Sequence, residues 1–174
     1  MKRRFSALLL ALLLICSLCV IPADAAPPAN TATILFTHDL HSHFLPQPAE
    51  DGGESGGYAR LKTAIDRERE KCPDALLLDG GDFSIGSLVQ TLYTTQAAEL
   101  RTMGALGYDA ATLGNHEFDH TGTGFAQMLN AAVDSGDPLP ALLEANYRPA
   151  EDNPDKDFIQ QAMDDYGVQE TLLL

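Results

Sequence analysis

The sequence has no histidine after position 120. All five histidines in the 174 residues lie before position 121, and they are His38, His41, His43, His116 and His120. A site that needs imidazole must therefore be built from residues before position 121, because nothing downstream can supply one.

Cysteine is also scarce, since the chain has only three. Cys16 and Cys19 lie in an N-terminal segment that we predict to be removed, which leaves Cys72 alone and excludes an intramolecular disulfide. No activating motif surrounds Cys72. We therefore interpret it as a small packed side chain and not as a nucleophile.

Basic residues are few, with 11 Lys and Arg against 25 Asp and Glu. Three of the basic residues and one of the acidic ones lie in residues 1–25, so the remaining chain carries 8 basic and 24 acidic residues, a net charge of about −16. Such a charge excludes nucleic acid and anionic membrane surfaces as partners.

The N-terminus has the pattern of a secretory signal. Basic residues at 2–4, an apolar run at 5–21 and a small-x-small motif at 23–25 predict a signal peptide over 1–25, followed by a linker over 26–30. An uncleaved membrane anchor is the alternative, because the apolar run is slightly long. If the signal is cleaved, we expect an extracytoplasmic protein (periplasmic, cell-surface or secreted) with no stable membrane association.

Strand-like and helix-like segments alternate along the rest of the chain. Helical spacing of apolar residues predicts helices within 58–71, 88–103 and 125–133, whereas 149–167 is interpreted as an irregular surface excursion. Short apolar runs predict strands at Thr33–Phe36, Ala75–Leu78, Ala110–Leu113 and Ala141–Ala145, with a last one beginning over 170–174. This alternation predicts an α/β layered sheet over residues 31–174.

Polar clusters follow the first three predicted strands. They are Asp39-Leu40-His41, Gly80-Gly81-Asp82-Phe83 and Gly114-Asn115-His116-Glu117-Phe118-Asp119. Each cluster is weak evidence by itself, but the intervals between them fit βαβ units, which bring successive strand ends side by side. The three clusters together predict a shared metal site at one edge of the sheet.

With these motifs the chain resembles the calcineurin-like metallophosphoesterase superfamily, and residues 33–41 and 114–119 are similar to its secreted 5′-nucleotidase branch. The resemblance implies the N-terminal half of a layered metallophosphoesterase sandwich. It also implies a dinuclear-metal enzyme that hydrolyses nucleotide or other phosphate esters.

The resemblance also implies a role for each matching residue. Asp39 and His41 would hold the first of two divalent ions, Asp82 would bridge both, and Asn115 would hold the second. Carboxylate, amide and imidazole ligands without thiolate suit Zn, Mn, Fe or Co.

The same resemblance implies how the substrate is handled. Asn115 and His116 would contact it, and His116 would act on the phosphoryl group or the leaving oxygen. Asp119 would orient His116. A carboxylate partner would also raise the pKa of that imidazole.

The chain departs from the family pattern in two ways. The branch usually has Asn before its first Asp, where this chain has His38, and we expect His38 to turn away from the site with little effect. The family also completes its site with later histidines, in a lone-His motif and a Gly-His-x-His motif, which are absent here. We therefore expect an N-terminal fragment that is inactive by itself.

Two other interpretations of the function of this chain remain open. The chain could be a catalytically silent metal-binding module or pseudoenzyme, or an exported acidic interaction protein that retains the motifs without using them. His43 and His120 are interpreted as surface polar residues, and Phe83 and Phe118 as packing under the site.

Overall fold

The computed structural model describes residues 31–173. The predicted signal peptide and linker lie outside the described residues. From residue 32 onward the described residues form one compact unit. No helix among them is both long enough and apolar enough to cross a membrane.

Four parallel strands form the main sheet, and neighbours along the chain are neighbours in the sheet. The strands are β1 (Ile34–Thr37), β4 (Leu76–Asp79), β5 (Ala110–Thr112) and β6 (Ala141–Leu143), in the order β1-β4-β5-β6. A short antiparallel pair, β2 (Gln47–Pro48) and β3 (Glu54–Ser55), lies in the loop after β1.

Helical crossovers connect the parallel strands, as parallel pairing requires. They are α1 (Tyr58–Lys71), α2 (Tyr93–Gln96), α3 (Ala98–Leu106) and α4 (Thr121–Ser135), with 3₁₀ turns at Leu88–Leu92 and His116–Phe118. A further helix, α5 (Lys156–Tyr166), follows β6. The α/β layered fold predicted from the sequence is confirmed.

The strand register brings the candidate loops together. Thr37 pairs with Asp79, Asp79 with Ala111 and Ala111 with Leu142, so the strands end at one common edge. The chain leaves β1, β4 and β5 at that edge, where a parallel α/β sheet places its binding loops.

The sheet and the helices α1, α3, α4 and α5 share one hydrophobic core. Leu77 of β4 and Leu142 of β6 are completely buried, as are Phe125, Met128 and Leu129 on one face of α4. This face matches the predicted helical spacing at 125–133. Each such side chain contributes about 1.5–3 kcal/mol through its burial.

Two of the four residues of β1 are exposed, although the strand belongs to a short apolar run in the sequence. Ile34 is 54% exposed and Phe36 is 62% exposed, because β1 is an edge strand and one of its faces has no cover among the described residues. The alternate residue Leu35 packs against the core. A short apolar run alone cannot distinguish an edge strand from a central one.

The helix predicted over 88–103 is divided into three pieces. It begins with the 3₁₀ turn Leu88–Leu92 and breaks again at Ala97, whose φ of 45° lies in the left-handed region. Leu88 and Leu92, predicted to face the core, are exposed.

The interpretation of residues 149–167 as irregular is wrong. Residues 156–166 form α5, which packs on α4 through Ile159, Ala162 and Met163. The strand predicted over 170–174 is also wrong for its described residues 170–173. Gln169 instead makes an isolated bridge to Leu143.

Gly104 allows α3 to approach the loop before β6. A Cβ atom added to Gly104 would lie 1.7 Å from the carbonyl oxygen of Pro138. We expect Gly104→Ala to lower the free energy of unfolding by about 2–3 kcal/mol, measured by urea denaturation, because the backbone must move to relieve the clash.

The neighbouring exposed position supplies the control for this prediction. Ala105→Gly should cost only the helix propensity difference, about 0.5–1 kcal/mol. If Gly104 were simply a poor helix residue, Gly104→Ala would instead stabilise the protein by a similar amount, and that gain would contradict the packing explanation.

Candidate metal centre

The loop after β1 carries Asp39 and His41. The backbone there is not extended, because both residues have left-handed φ values, 53° and 47°. The two side chains still meet, with Oδ1 of Asp39 lying 3.4 Å from Nε2 of His41. Two oxygen and nitrogen donors at this separation can reach one ion.

The tautomer of His41 follows from its other nitrogen. Nδ1 lies 2.8 Å from the carbonyl oxygen of Ile85 and 3.2 Å from that of Ser84. Carbonyl oxygens only accept hydrogen bonds, so Nδ1 carries the proton. The lone pair of Nε2 is therefore free for a metal, as in most histidine ligands.

Backbone hydrogen bonds join the first loop to the second. Asp39 N–H donates to Gly81 O and His41 N–H to Asp82 O, both at 3.0 Å. Gly81 has a φ of 94°, and a Cβ on it would lie 2.5 Å from the nitrogen of Gly114. Only glycine fits this close approach between the second and third loops.

The loop after β5 begins with Asn115 and then makes the 3₁₀ turn. His116 N–H donates to Oδ1 of Asp82 at 2.9 Å. The His116 ring lies 2.8 Å from Oδ2 of Asp119 through Nδ1, and this hydrogen bond raises the pKa of His116. Nε2 of His116 is left to face the site.

The three loops bring one group of ligand atoms together. His41, Asp82 and His116 each offer an atom, and these atoms all lie within 4.8 Å of one another. The predicted ligands Asp39, His41 and Asp82 are thus neighbours. His116, which was predicted as a catalytic residue, also has a ligand atom within 4.8 Å of those of His41 and Asp82. Asn115 is exposed, and its side-chain amide makes no hydrogen bond within the described residues.

The expectation that His38 turns away from the site is wrong. Nδ1 of His38 contacts Oδ2 of Asp39. This contact raises the pKa of His38 and lowers the pKa of Asp39. The positive φ of Asp39 breaks the alternation of an extended strand, so adjacent side chains can meet.

The donor set fits a divalent transition metal. Two carboxylates, Asp39 and Asp82, and two imidazoles with available nitrogens lie at one edge, with no thiolate among them. Mixed oxygen and nitrogen donors suit Zn, Mn, Fe or Co. The assignment of individual ligands and of two ions stays a prediction.

The interpretation of the remaining aromatic and histidine residues is confirmed. Phe83 is completely buried and Phe118 packs against the core. His43 and His120 are exposed, and the His120 ring stacks on Tyr93 with centroids 5.4 Å apart.

Glu117 and Glu99 are buried carboxylates near the site to which the sequence analysis assigned no role. Glu117 is completely buried between the second and third loops. Glu99 of α3 is 1% exposed, and its Oε1 accepts a hydrogen bond of 2.6 Å from the Ser42 hydroxyl in the first loop. A glutamate in a polar motif gives no sign that it will be buried.

Glu99 makes stability depend on pH. Its Oε2 has no hydrogen-bond partner among the described residues, and burial raises the pKa of Glu99 above the usual 4.5. The folded state therefore holds this proton more tightly than the unfolded state does. This stabilisation is present at low pH and is lost as pH rises from about 4.5 through the folded pKa.

We expect Glu99→Gln to remove this loss, because the amide stays neutral. The difference in Tm, variant minus wild type, should become more positive between about pH 4 and pH 7, measured with a chelator present. Glu50→Gln, at an exposed position with no hydrogen bond or ion pair among the described residues, serves as the control and should leave the Tm difference nearly constant. A Glu99→Gln difference that is constant over this range would contradict the explanation.

Comparison with known proteins agrees with this geometry. Residues 32–158 match the calcineurin-like phosphoesterase family. The chain is 38% identical over 134 residues to a 5′-nucleotidase of Bos taurus, which covers 67% of this chain and 23% of that protein. It is 41% identical over 105 residues to a probable 5′-nucleotidase of Treponema pallidum, covering 56% of this chain and 18% of that protein.

A solved 5′-nucleotidase structure is also similar to this chain. The crystal structure of the 5′-nucleotidase precursor from Thermus thermophilus superposes with a TM-score of 0.58 and 30% identity, covering 73% of this chain and 24% of that one. The chain thus spans about a quarter or less of the length of these relatives. Because the family match includes all three candidate loops, the chain belongs to the calcineurin-like phosphoesterases.

Proposed function

We propose that this chain is part of an exported hydrolase that cleaves nucleotide phosphate esters with two divalent metal ions. The observation that carries the proposal is the meeting of Asp39, His41, Asp82 and His116 at the sheet edge. The 5′-nucleotidase relatives support the nucleotide substrate.

Four residues would hold the ions. Asp39, His41 and Asp82 form the first set, and Asp82 and Asn115 contribute to the second. Bound divalent ions would supply Lewis-acid activation and neutralise phosphate charge. The shared carboxylate of Asp82 would reduce the repulsion between two cations.

His116 would act on the substrate. Its hydrogen bond to Asp119 raises the pKa of His116, which favours the protonated ring. With Nδ1 held by Asp119, a proton on Nε2 can be donated to the leaving oxygen or can stabilise charge on the phosphoryl group. Asp119 thus fixes which nitrogen faces the substrate.

We also propose that the chain forms only the N-terminal part of its catalytic domain. Ile34 and Phe36 leave an apolar face of β1 exposed, whereas parallel sheets are normally covered on both faces. The small share of each relative that is matched supports the same idea. A reading frame that continues past codon 174 into a lone His and a Gly-His-x-His motif would support it further.

Export rests on the N-terminal pattern over residues 1–25. Comparing the mass of the protein recovered from cells and from the extracytoplasmic fraction tests it. An unprocessed protein found only inside the cell would contradict export.

The hydrolase proposal is tested with the complete gene product. The metal-stripped protein should not release phosphate from a nucleoside monophosphate, and added Mn²⁺ or Zn²⁺ should restore the release. Turnover that is unaffected by the removal of metal would contradict the proposal. A complete protein that binds metal but releases no phosphate would favour the silent module.

A further inference from the structure

We infer that Glu117 is a positioning residue that fixes the second and third candidate loops relative to each other. Its side chain is completely buried, so it does not contact substrate from the open edge. The inference rests on the proposed function, because the spacing of the two loops matters for activity only if they hold metal.

The carboxylate of Glu117 accepts four hydrogen bonds. Oε2 accepts the backbone N–H of Asp82 at 2.9 Å and that of Gly114 at 2.7 Å. Oε1 accepts the backbone N–H of Ser84 at 3.0 Å and its hydroxyl at 2.7 Å. A single oxygen therefore joins the loop after β4 to the loop after β5.

The same hydrogen bonds also position the site residues Asp82 and His116. While Asp82 N–H donates to Glu117, Oδ1 of Asp82 accepts the N–H of His116. These two bonds close a ring between the loops. The ring fixes the direction of the Asp82 carboxylate and the place of the His116 backbone together.

The backbone held in this way is strained. Asp82 has a φ of 54°, a left-handed conformation that is unfavourable for a residue other than glycine. Such a conformation persists only where its surroundings enforce it. The bond from Asp82 N–H to Glu117 supplies that constraint, and the Tyr93 hydroxyl anchors the Glu117 backbone by donating to its carbonyl at 2.6 Å.

Charge supports a role specific to the carboxylate. No Lys, Arg or His forms an ion pair with Glu117 within residues 31–173. Its two oxygens are satisfied by hydrogen-bond donors alone, and both oxygens must accept. An amide of the same size offers only one accepting oxygen.

Glu117→Gln tests the inference, because its NH₂ group must face either the Asp82 and Gly114 N–H groups or the Ser84 N–H. We expect amide hydrogen exchange to accelerate on the side that the NH₂ group faces, either at Asp82 and Gly114 or at Ser84. We also expect the Mn²⁺ affinity of the complete protein to fall about 10–100-fold, the usual cost of losing a group that orients metal ligands. Mn²⁺ binding is followed by electron paramagnetic resonance.

Glu144→Gln is the matched control. Glu144 is also buried, at 7% exposure, but only its Oε1 accepts hydrogen bonds, from the N–H groups of Asn146 and Tyr147 in its own turn. The amide keeps one accepting oxygen there. This variant should leave both Mn²⁺ affinity and exchange at Asp82 unchanged.

Ser84→Ala provides a second test if Glu117→Gln fails to fold. It removes only the hydroxyl bond to Oε1, and we expect a smaller loss of Mn²⁺ affinity, about two- to fivefold. The inference is overturned if folded Glu117→Gln keeps the wild-type affinity within twofold, or if Ser84→Ala folds and has no effect. A complete wild-type protein that binds no Mn²⁺ would contradict the proposed function, and the exchange rates alone would then decide whether Glu117 holds the loops.

Discussion

Asp82→Asn is expected to lower phosphate release by the complete enzyme by at least about 10³-fold, which corresponds to about 4 kcal/mol of transition-state stabilisation. A carboxylate oxygen of Asp82 lies within 4.8 Å of the ligand atoms of His41 and His116, and Oδ1 of Asp82 also accepts the N–H of His116. Asparagine can keep that hydrogen bond but cannot supply the negative charge that two cations would share. Measurement of kcat and of bound metal per chain checks both effects.

A matched change elsewhere separates charge at the site from total charge. Asp51 is exposed in the loop after β1 and accepts a hydrogen bond from Gly53 N–H, so Asp51→Asn removes the same charge far from the ligand group. That variant should keep full activity and metal content. An Asp82→Asn enzyme with activity within tenfold of wild type and a full complement of metal would rule out the bridging role.

His116→Ala is expected to cut turnover of a nucleoside monophosphate by about 10²–10⁴-fold while the bound metal is retained. The test is needed because a ligand atom of His116 lies within 4.8 Å of those of His41 and Asp82, so its position alone does not separate a catalytic role from a ligand role. The hydrogen bond to Asp119 equips His116 for proton transfer, but the same geometry would allow ligation.

The metal content of the His116→Ala enzyme distinguishes the two roles. His120→Ala is the control, since His120 is an exposed imidazole nearby that stacks on Tyr93 and lies outside the ligand group. The His120→Ala variant should change neither the turnover nor the metal content by more than about twofold. If metal content falls in step with activity in His116→Ala, then His116 is a ligand and its assignment to acid catalysis is wrong.

The sheet and the location of the candidate site could be predicted because they depend on local patterns. Glycine and then polar residues follow within one or two positions of short apolar runs such as Ala75–Leu78 and Ala110–Leu113, a pattern that marks the end of a buried strand. Parallel pairing then places those ends at one edge. Neither step requires knowledge of distant contacts.

Packing between distant segments could not be predicted in the same way. The helix α5 is rich in acidic residues and follows Pro154, so its apolar stripe of Ile159, Ala162 and Met163 stands out only once α4 is seen beside it. The exposure of Phe36 depends equally on which strand occupies the edge of the sheet.

The details of the site depended on backbone conformations that sequence spacing does not reveal. Asp39 and His41 meet through left-handed residues and not through an extended segment. The same turn brings His38 onto Asp39. Glu117 looked like an ordinary member of a polar motif, but its partners are backbone N–H groups more than 30 residues away along the chain, at Asp82 and Ser84.

The most direct test of the account is whether a metal ion binds where the three loops meet. Crystals of the complete protein grown with Zn²⁺ should give an anomalous scattering peak about 2.0–2.2 Å from Nε2 of His41 and from a carboxylate oxygen of Asp82. The account also places Asp39 on the same ion. Well-ordered loops with no peak beside Asp82, or a peak bound only by carboxylates elsewhere on the surface, would contradict a metal centre built from these loops.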